Sequence, residues 1–242
     1  MIRTAGIPPA VSMSMTVRKS QDCIASTSRY SPGMLKLFYT AHTCSLATHI
    51  LLEEVGADYS TVRIDFETAQ QRSPDYLKVN PKGRVPALVT DRGVLTETPA
   101  MLVFVAQSFP AQNLALMDDA FAFARVQAFN SYLCSSLHIA HAHRMRGHRW
   151  VDPEDAEAIA ALQRKVPQSV TECFELIERE MLAGPWVMGE RYTICDPYLF
   201  TLAQWLEKDG VDPARIPRVI DHRRRMAERA ATRQSIADEL AV

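Results

Sequence analysis

The 242-residue sequence predicts two domains, an α+β domain with the element order βαβ-α-ββα followed by an all-helical (all-α) domain. Three observations carry that prediction. A strand-like run, a helical pattern and a second strand-like run follow one another between Leu35 and Ile64. A proline interrupts the next strand-like run at Val85-Pro86, which a sheet tolerates at an edge or across a cis bond. Past Phe109-Pro110 strand signals nearly vanish and long helical patterns take over.

Leu35 to Tyr39 (LKLFY) is short, apolar and β-prone. Leu46, Ala47, Ile50, Leu51 and Val55 then recur at helical spacing, with Gly56 placed to end the helix. Tyr59 to Ile64 alternates, with Val62 and Ile64 on one face, so the three elements form a right-handed βαβ unit. Ser73-Pro74-Asp75-Tyr76 opens a short helix with proline in its first turn, and 80–83 is a loop. Val85 to Val89 is a strand, Asp91-Arg92-Gly93 a hairpin turn and Val94-Leu95 the return strand. Thr96 or Thr98 is expected to cap a helix through Ala100, Val103, Phe104 and Gln107. This is the thioredoxin-like order. Phe121 to Leu137, Asp155 to Leu182, Asp196 to Leu206 and Ile216 to Leu240 carry the helical patterns of a bundle. The expected division is a disordered extension at 1–33, a thioredoxin-like domain at 34–110, a linker at 111–117 and a helical domain at 118–242.

Composition narrows the function. A net charge of -1 with both signs interspersed gives no footprint for nucleic acid or an anionic membrane surface, and the apolar stretches are too short and interrupted to span a bilayer. Five cysteines, an odd number with no CxxC pair, argue against a disulfide framework or zinc ribbon and for a reducing compartment. The first 33 residues are Ser/Thr-rich, with four basic residues and one acid, Asp22, and lack the apolar core of a secretory signal. That composition is compatible with a transit peptide; the favoured reading is a disordered extension or a start codon set upstream of Met34.

Several residues are candidates for chemistry. Cys44 falls at or near a helix start, where N–H groups and the helix dipole favour a thiolate. The alternative is a small buried residue, which is the reading given to Cys134, Cys173 and Cys195. A cis Val85-Pro86 bond at a sheet edge leaves the Val85 N–H and C=O free to pair with an extended peptide. Glu97-Thr98 sits where a strand becomes a helix; free N–H groups there suit a carboxylate and Glu97 an ammonium, together an amino-acid head group, although a plain capping pair has the same signature. His138, His141, His143 and His148 form a loose cluster without metal-ligand spacing, and Arg144, Arg146 and Arg149 oppose a cation. His138 is expected to face a site and the other three to be solvated. Arg223-Arg224-Arg225 reads as a solvated helix face.

From Met34 onward the chain resembles the cytosolic glutathione transferases, most closely the bacterial beta class. The motifs that carry the resemblance are TAHTCSLATHILLEE, NPKGRVPAL and LTETPA in the first domain and YTICDPYLF and RRRMAER in the second. The resemblance implies that Cys44 faces the glutathione sulfur and is the catalytic candidate, that Val85 pairs with the cysteinyl backbone beside cis Pro86, and that Glu97 and Thr98 hold the γ-glutamyl end. It also puts Ser131, Ser135 and His138 at polar positions of the site, and makes Thr193 and Asp196 a structural capping box. The chain departs from the pattern at Ala69-Gln70 and at Ile139, where basic residues are common; Arg84 or an arginine near His143 is the expected substitute.

The implied function is conjugation of the glutathione thiolate to a small hydrophobic electrophile lying near Tyr132, His138 and Trp205. Glutathione is the co-substrate and no other cofactor, metal, nucleic acid or membrane is involved. The implied assembly is a homodimer in the cytoplasm. Two alternatives keep the fold: a glutathione-dependent disulfide reductase, or thiol transferase, working through Cys44, and a non-enzymatic ligand-binding protein.

Overall fold

The computed structural model describes the backbone of residues 15–17 and, in full, residues 33–241. A five-stranded sheet runs in the order β1-β3-β2-β4-β5, built from β1 (Met15–Val17), β2 (Leu35–Tyr39), β3 (Tyr59–Arg63), β4 (Ala87–Thr90) and β5 (Gly93–Thr96). β2 and β3 are parallel, in the register Leu35↔Tyr59, with helix α1 (Ser45–Glu54) as their crossover; β4 and β5 are antiparallel neighbours on the other side. The expectation of a disordered extension departs from the structure at Met15–Val17, where the backbone pairs antiparallel with the edge of β3; the rest of 1–32 lies outside the described residues.

Local chemistry explains most boundaries. Gly56 takes φ +64° just past α1, a conformation that costs glycine little. Ser73 caps α2 (Pro74–Val79) by accepting from the Tyr76 N–H at 3.2 Å, with Pro74 in the first turn as expected. Helix α3 (Thr98–Ser108) departs from expectation, since neither threonine caps it: Glu97 occupies the cap at φ +72°, Thr98 is already helical and Pro99 lacks an N–H. The stretch expected as a linker is partly internal. Leu114 and Ala115 are buried, and the Leu114 carbonyl accepts from the Ile194 N–H at 2.9 Å.

The helical part comprises α4 (Ala120–Tyr132), α5 (His138–Arg146), α6 (Ala156–Leu176), α7 (Cys195–Ala203), α8 (Pro217–Ala227) and α9 (Ala230–Leu240). Two refinements of the sequence reading appear. The expected helix from Phe121 to Leu137 passes through a π-helical turn, Leu133–Leu137, before continuing as α5. The pattern from Ile216 to Leu240 breaks into two helices around Glu228 and Arg229. Both the break and α9 beyond it reach the first domain. Arg229 bonds Glu54 of α1 through Nε at 3.1 Å and lies over the rings of Tyr192 (4.0 Å) and Trp186 (5.3 Å); buried Glu239 of α9 meets buried His49 of α1 at 3.2 Å.

One apolar core joins the two parts. Leu51 and Leu52 of α1, Met101 and Leu102 of α3, Val126 and Phe129 of α4, and Tyr198 and Leu202 of α7 belong to the same buried cluster. Each such side chain contributes about 1.5–3 kcal/mol by leaving water. At its centre Asp196 is fully buried yet accepts four hydrogen bonds: Val187 N–H (2.8 Å) and His222 Nε2 (3.0 Å) on one oxygen, Thr193 N–H (2.7 Å) and Thr193 Oγ1 (3.2 Å) on the other. The reach-back expected of Asp196 is present, whereas the N-cap position falls on Ile194 and not on Thr193, whose Oγ1 accepts at 3.3 Å from the N–H of Cys195, the first residue of α7. The arginine run is less solvated than expected: Arg223 donates to the Ala203 carbonyl and Arg225 to that of Pro185, and Arg224 alone of the three is confined to an exposed pair, with Asp221.

Candidate functional site

Between the sheet domain and α5 runs a cleft of about 650 Å³. Its floor comes from three places in the first domain: the end of β2 with the start of α1, the turn before β4, and the start of α3. The sequence brings these together because β2 and β4 are adjacent antiparallel strands and α3 follows β5 directly.

Cys44 is half-buried at the N-cap position of α1 and lines the cleft. Burial pushes its thiol up to about 11, although the Thr98 hydroxyl and the Cys44 backbone N–H pull the other way. This corrects the expectation of a thiolate: loss of water outweighs the helix start, so at neutral pH Cys44 carries its proton. That proton points at the Val85 carbonyl, with Sγ 3.6 Å away.

The Val85-Pro86 bond is cis, as expected. The strand begins only after it, at Ala87, so the Val85 peptide stays out of the ladder. Its position is set by two buried side chains that sequence reading left in an anonymous helix and loop: Tyr76 Oη (2.7 Å) and Asn80 Nδ2 (2.6 Å) both donate to the Arg84 carbonyl. Gly83, at φ +60°, allows the close approach of the preceding turn; a Cβ there would lie 3.0 Å from the Gln71 carbonyl and 2.9 Å from the Arg72 guanidinium.

Thr98 is buried at the first turn of α3, and Glu97 beside it is exposed, in a positive-φ conformation that is costly for a non-glycine residue. The Glu97 carboxylate is ion-paired with the Lys82 ammonium, whose Nζ also donates to Thr96 Oγ1 at 2.7 Å. An ammonium-binding carboxylate thus stands next to a helix start with free N–H groups, the pairing read from the sequence.

From the helical side, His138 lines the cleft 5.3 Å from the ring of Trp205. Burial first, then the positive neighbours His141, Arg149 and Arg84, lower it to about 4, so the ring is neutral at pH 7. His141 is not solvated as expected: it stacks on Trp205 at 3.9 Å, and its Nδ1 lies 2.7 Å from Asp209, which Arg144 also binds at 2.8 Å. Trp205 Nε1 donates to the His42 carbonyl at 3.1 Å, tying this aromatic stack to the loop that carries Cys44.

Ser131 and Ser135 do not line the cleft; both are exposed, and Ser135 Oγ donates to the Ser131 carbonyl. The π turn is the reason. A strict 3.6-residue period puts 131, 135 and 138 on one face, whereas the wider turn at Leu133–Leu137 rotates that face, and Cys134 lines the cleft beside His138 instead. Tyr132 likewise leaves the expected position and donates to the Cys173 carbonyl inside the bundle at 3.4 Å. At the mouth lie arginines that the sequence reading only partly anticipated: Arg72, Arg84, Arg146 and Arg149.

The architecture matches known proteins along its length. Residues 34–107 fit the family model for the glutathione S-transferase N-terminal domain. The chain is 30% identical over 209 residues to glutathione S-transferase GstA of Escherichia coli O157:H7, covering 85% of this chain and 98% of that protein. A Sulfitobacter glutathione transferase homologue, solved with bound glutathione, superposes with a TM-score of 0.80 at 41% identity, covering 83% of this chain and 96% of the other. A beta class glutathione S-transferase of Sphingomonas chungbukensis gives 0.73 at 30% identity, covering 86% and 100%. With the N-terminal family model matched and 85% of the chain aligned to GstA at 30% identity, the chain belongs to the glutathione S-transferase family.

Proposed function

We propose that this glutathione transferase conjugates glutathione to small electrophiles, with Cys44 acting as a neutral hydrogen-bond donor to the glutathione sulfur. The observation that carries the proposal is the half-buried Cys44 thiol at the start of α1, lying 3.6 Å from the carbonyl of a Val85 peptide that stays out of the strand ladder, with burial pushing the thiol up to about 11. In this reading the γ-glutamyl carboxylate meets the α3 N–H groups and Thr98, its ammonium meets Glu97, and the cysteinyl unit pairs with Val85. The sulfur then lies against Cys44, whose S–H, turned from the Val85 carbonyl as the cysteinyl N–H takes its place there, stabilises a thiolate better than it stabilises a thiol. The thiolate attacks the electrophilic carbon, the C–S bond forms, and a halide or similar group departs with the electron pair of the broken bond. The proton lost by glutathione goes to solvent. Neutral His138 and the Trp205 face wall the space beside the sulfur.

The proposal includes assignment to the beta class, a glutathione-binding domain over 34–110 and a helical domain over 118–242. It also includes a cytoplasmic setting, which the four free cysteines among the described residues support, and a role in detoxification. A homodimer is part of it too: Phe121 on α4 and Val94 on edge strand β5 are exposed apolar side chains that a partner would cover. Among the described residues no helix is long and apolar enough to cross a membrane.

The test offers the purified protein glutathione with 1-chloro-2,4-dinitrobenzene, and separately a small mixed disulfide of glutathione, beside a Cys44→Ala variant. Conjugation that persists at a reduced rate in the variant supports the donor role. Disulfide reduction that vanishes in the variant, with little conjugation in the parent, would replace it with the thiol-transferase reading.

A further inference from the structure

The charge of the cleft is unbalanced. Arg72, Arg84, Arg146 and Arg149 all line it, and among the described residues none of them pairs with a carboxylate. The acid within the lining, Glu97, is already bound by Lys82, and Asp209 behind it is bound by His141 and Arg144. Arg146 instead lies over the ring of Phe66, 5.8 Å from its centroid. Arg149 is held below the ordinary arginine range by partial burial and by Arg84, Arg146 and Arg72, in that order, so these guanidinium groups feel one another. Gathering like charges costs energy, and a cleft lined by one sign concentrates ligands of the other.

Glutathione does not balance this cluster. Its γ-glutamyl carboxylate is assigned to the start of α3, which leaves one glycyl carboxylate. Arg84, next to Val85, and Arg72, against Gly83, lie on the glutathione side of the cleft. Arg146 and Arg149 come from the helical side, with Arg149 near His138 and Cys44. Their neighbours Phe66, Met145 and Trp150 are apolar, and Met145 and Trp150 are exposed. A planar fork of N–H donors beside aromatic faces suits a flat body that carries a carboxylate or sulfonate.

We propose that the second substrate is an anion, an aromatic electrophile bearing a carboxylate or sulfonate that Arg146 and Arg149 hold beside the glutathione sulfur. This deepens the transferase reading above and rests on it.

The test compares 4-chloro-3-nitrobenzoate with its methyl ester, which undergo the same displacement of chloride by sulfur. Each kcat/KM is divided by the uncatalysed rate with free glutathione, which removes the difference in intrinsic reactivity. The expected result is a preference for the acid of about tenfold or more at low ionic strength, shrinking with added salt. In Arg146→Gln, Arg149→Gln and the double variant the acid-to-ester ratio falls towards one, mostly through KM. A ratio of one or less in the parent, or an unchanged ratio in the double variant, overturns the inference while leaving the transferase reading intact. Should neither compound react, conjugation of 1-chloro-2,4-dinitrobenzene decides the transferase reading. Calorimetry with unreactive 4-methyl-3-nitrobenzoate and its methyl ester, in the presence of S-methylglutathione, then decides the inference: tighter binding of the acid that is lost in the double variant supports it, and equal binding overturns it.

Discussion

If Cys44 is a donor, its own reactivity should be low, and alkylation by iodoacetamide measures that directly. With its thiol pushed up to about 11 and a free thiol near 8.5, Cys44 has roughly 300-fold less thiolate at pH 7.4. A thiolate of higher pKa is the better nucleophile, with a Brønsted slope of about 0.4–0.5, which returns about tenfold. The net expectation is about 30-fold slower alkylation than a free cysteine peptide, before any loss from limited access. Peptide-resolved mass spectrometry is required, because Cys23 precedes the fully described region and Cys134 and Cys173 are half-buried. The logarithm of the Cys44 rate should climb with unit slope from pH 6 to 10 without a plateau. A plateau below about pH 8, or a rate at pH 7.4 matching the free peptide, would refute the argument that burial outweighs the helix start.

Other expectations are equally concrete. Asp196→Ala strands four donors inside the core and should cost about 4 kcal/mol or more by urea unfolding, with Asp196→Asn costing less, because its remaining oxygen can still accept from two of them; a loss under 1 kcal/mol in the alanine variant would contradict the network. His138, lowered from 6.5 in the unfolded chain to about 4, contributes stability that is complete above pH 6.5 and lost as pH falls through 4. It amounts to about 3 kcal/mol, so His138→Phe should flatten the unfolding free energy over that window. Gly184→Ala puts a Cβ 2.9 Å from the Gly189 backbone and should destabilise by about 2 kcal/mol, seen as a lowered Tm. Asn80→Ala leaves the Arg84 carbonyl with Tyr76 as its one remaining side-chain donor and should raise the glutathione KM several-fold while leaving the far-UV spectrum intact.

The parts of the fold that were legible in the sequence are those set by local rules. LKLFY, the helix ended by Gly56, Ser73 with Pro74, and the proline after Val85 each specify their own conformation, and their order then fixes the topology. The site was legible where a motif spans adjacent residues, as at Glu97-Thr98. It was not where the cause is distant. No local signal reveals that Asp209 and Trp205 take up His141, 68 residues away in the case of Asp209, or that α3 packs Thr98 against Cys44. Helical periodicity failed at Ser131 and Ser135 for a different reason: it assumes one repeat throughout, and a π turn breaks the repeat without any glycine or proline to announce it.

That turn has a consequence for how the protein tolerates length change. A residue deleted from a regular α-helix swings everything beyond it by about 100°. The extra residue in Leu133–Leu137 is absorbed locally, so deleting Ser135 should let the segment relax into ordinary helix with α4 and α5 still anchored at either end. What changes is the side chain offered to the cleft at the place of Cys134. This wall of the site can therefore be re-dressed by an insertion or deletion of one codon, a route to new acceptor preferences that point substitution alone does not provide.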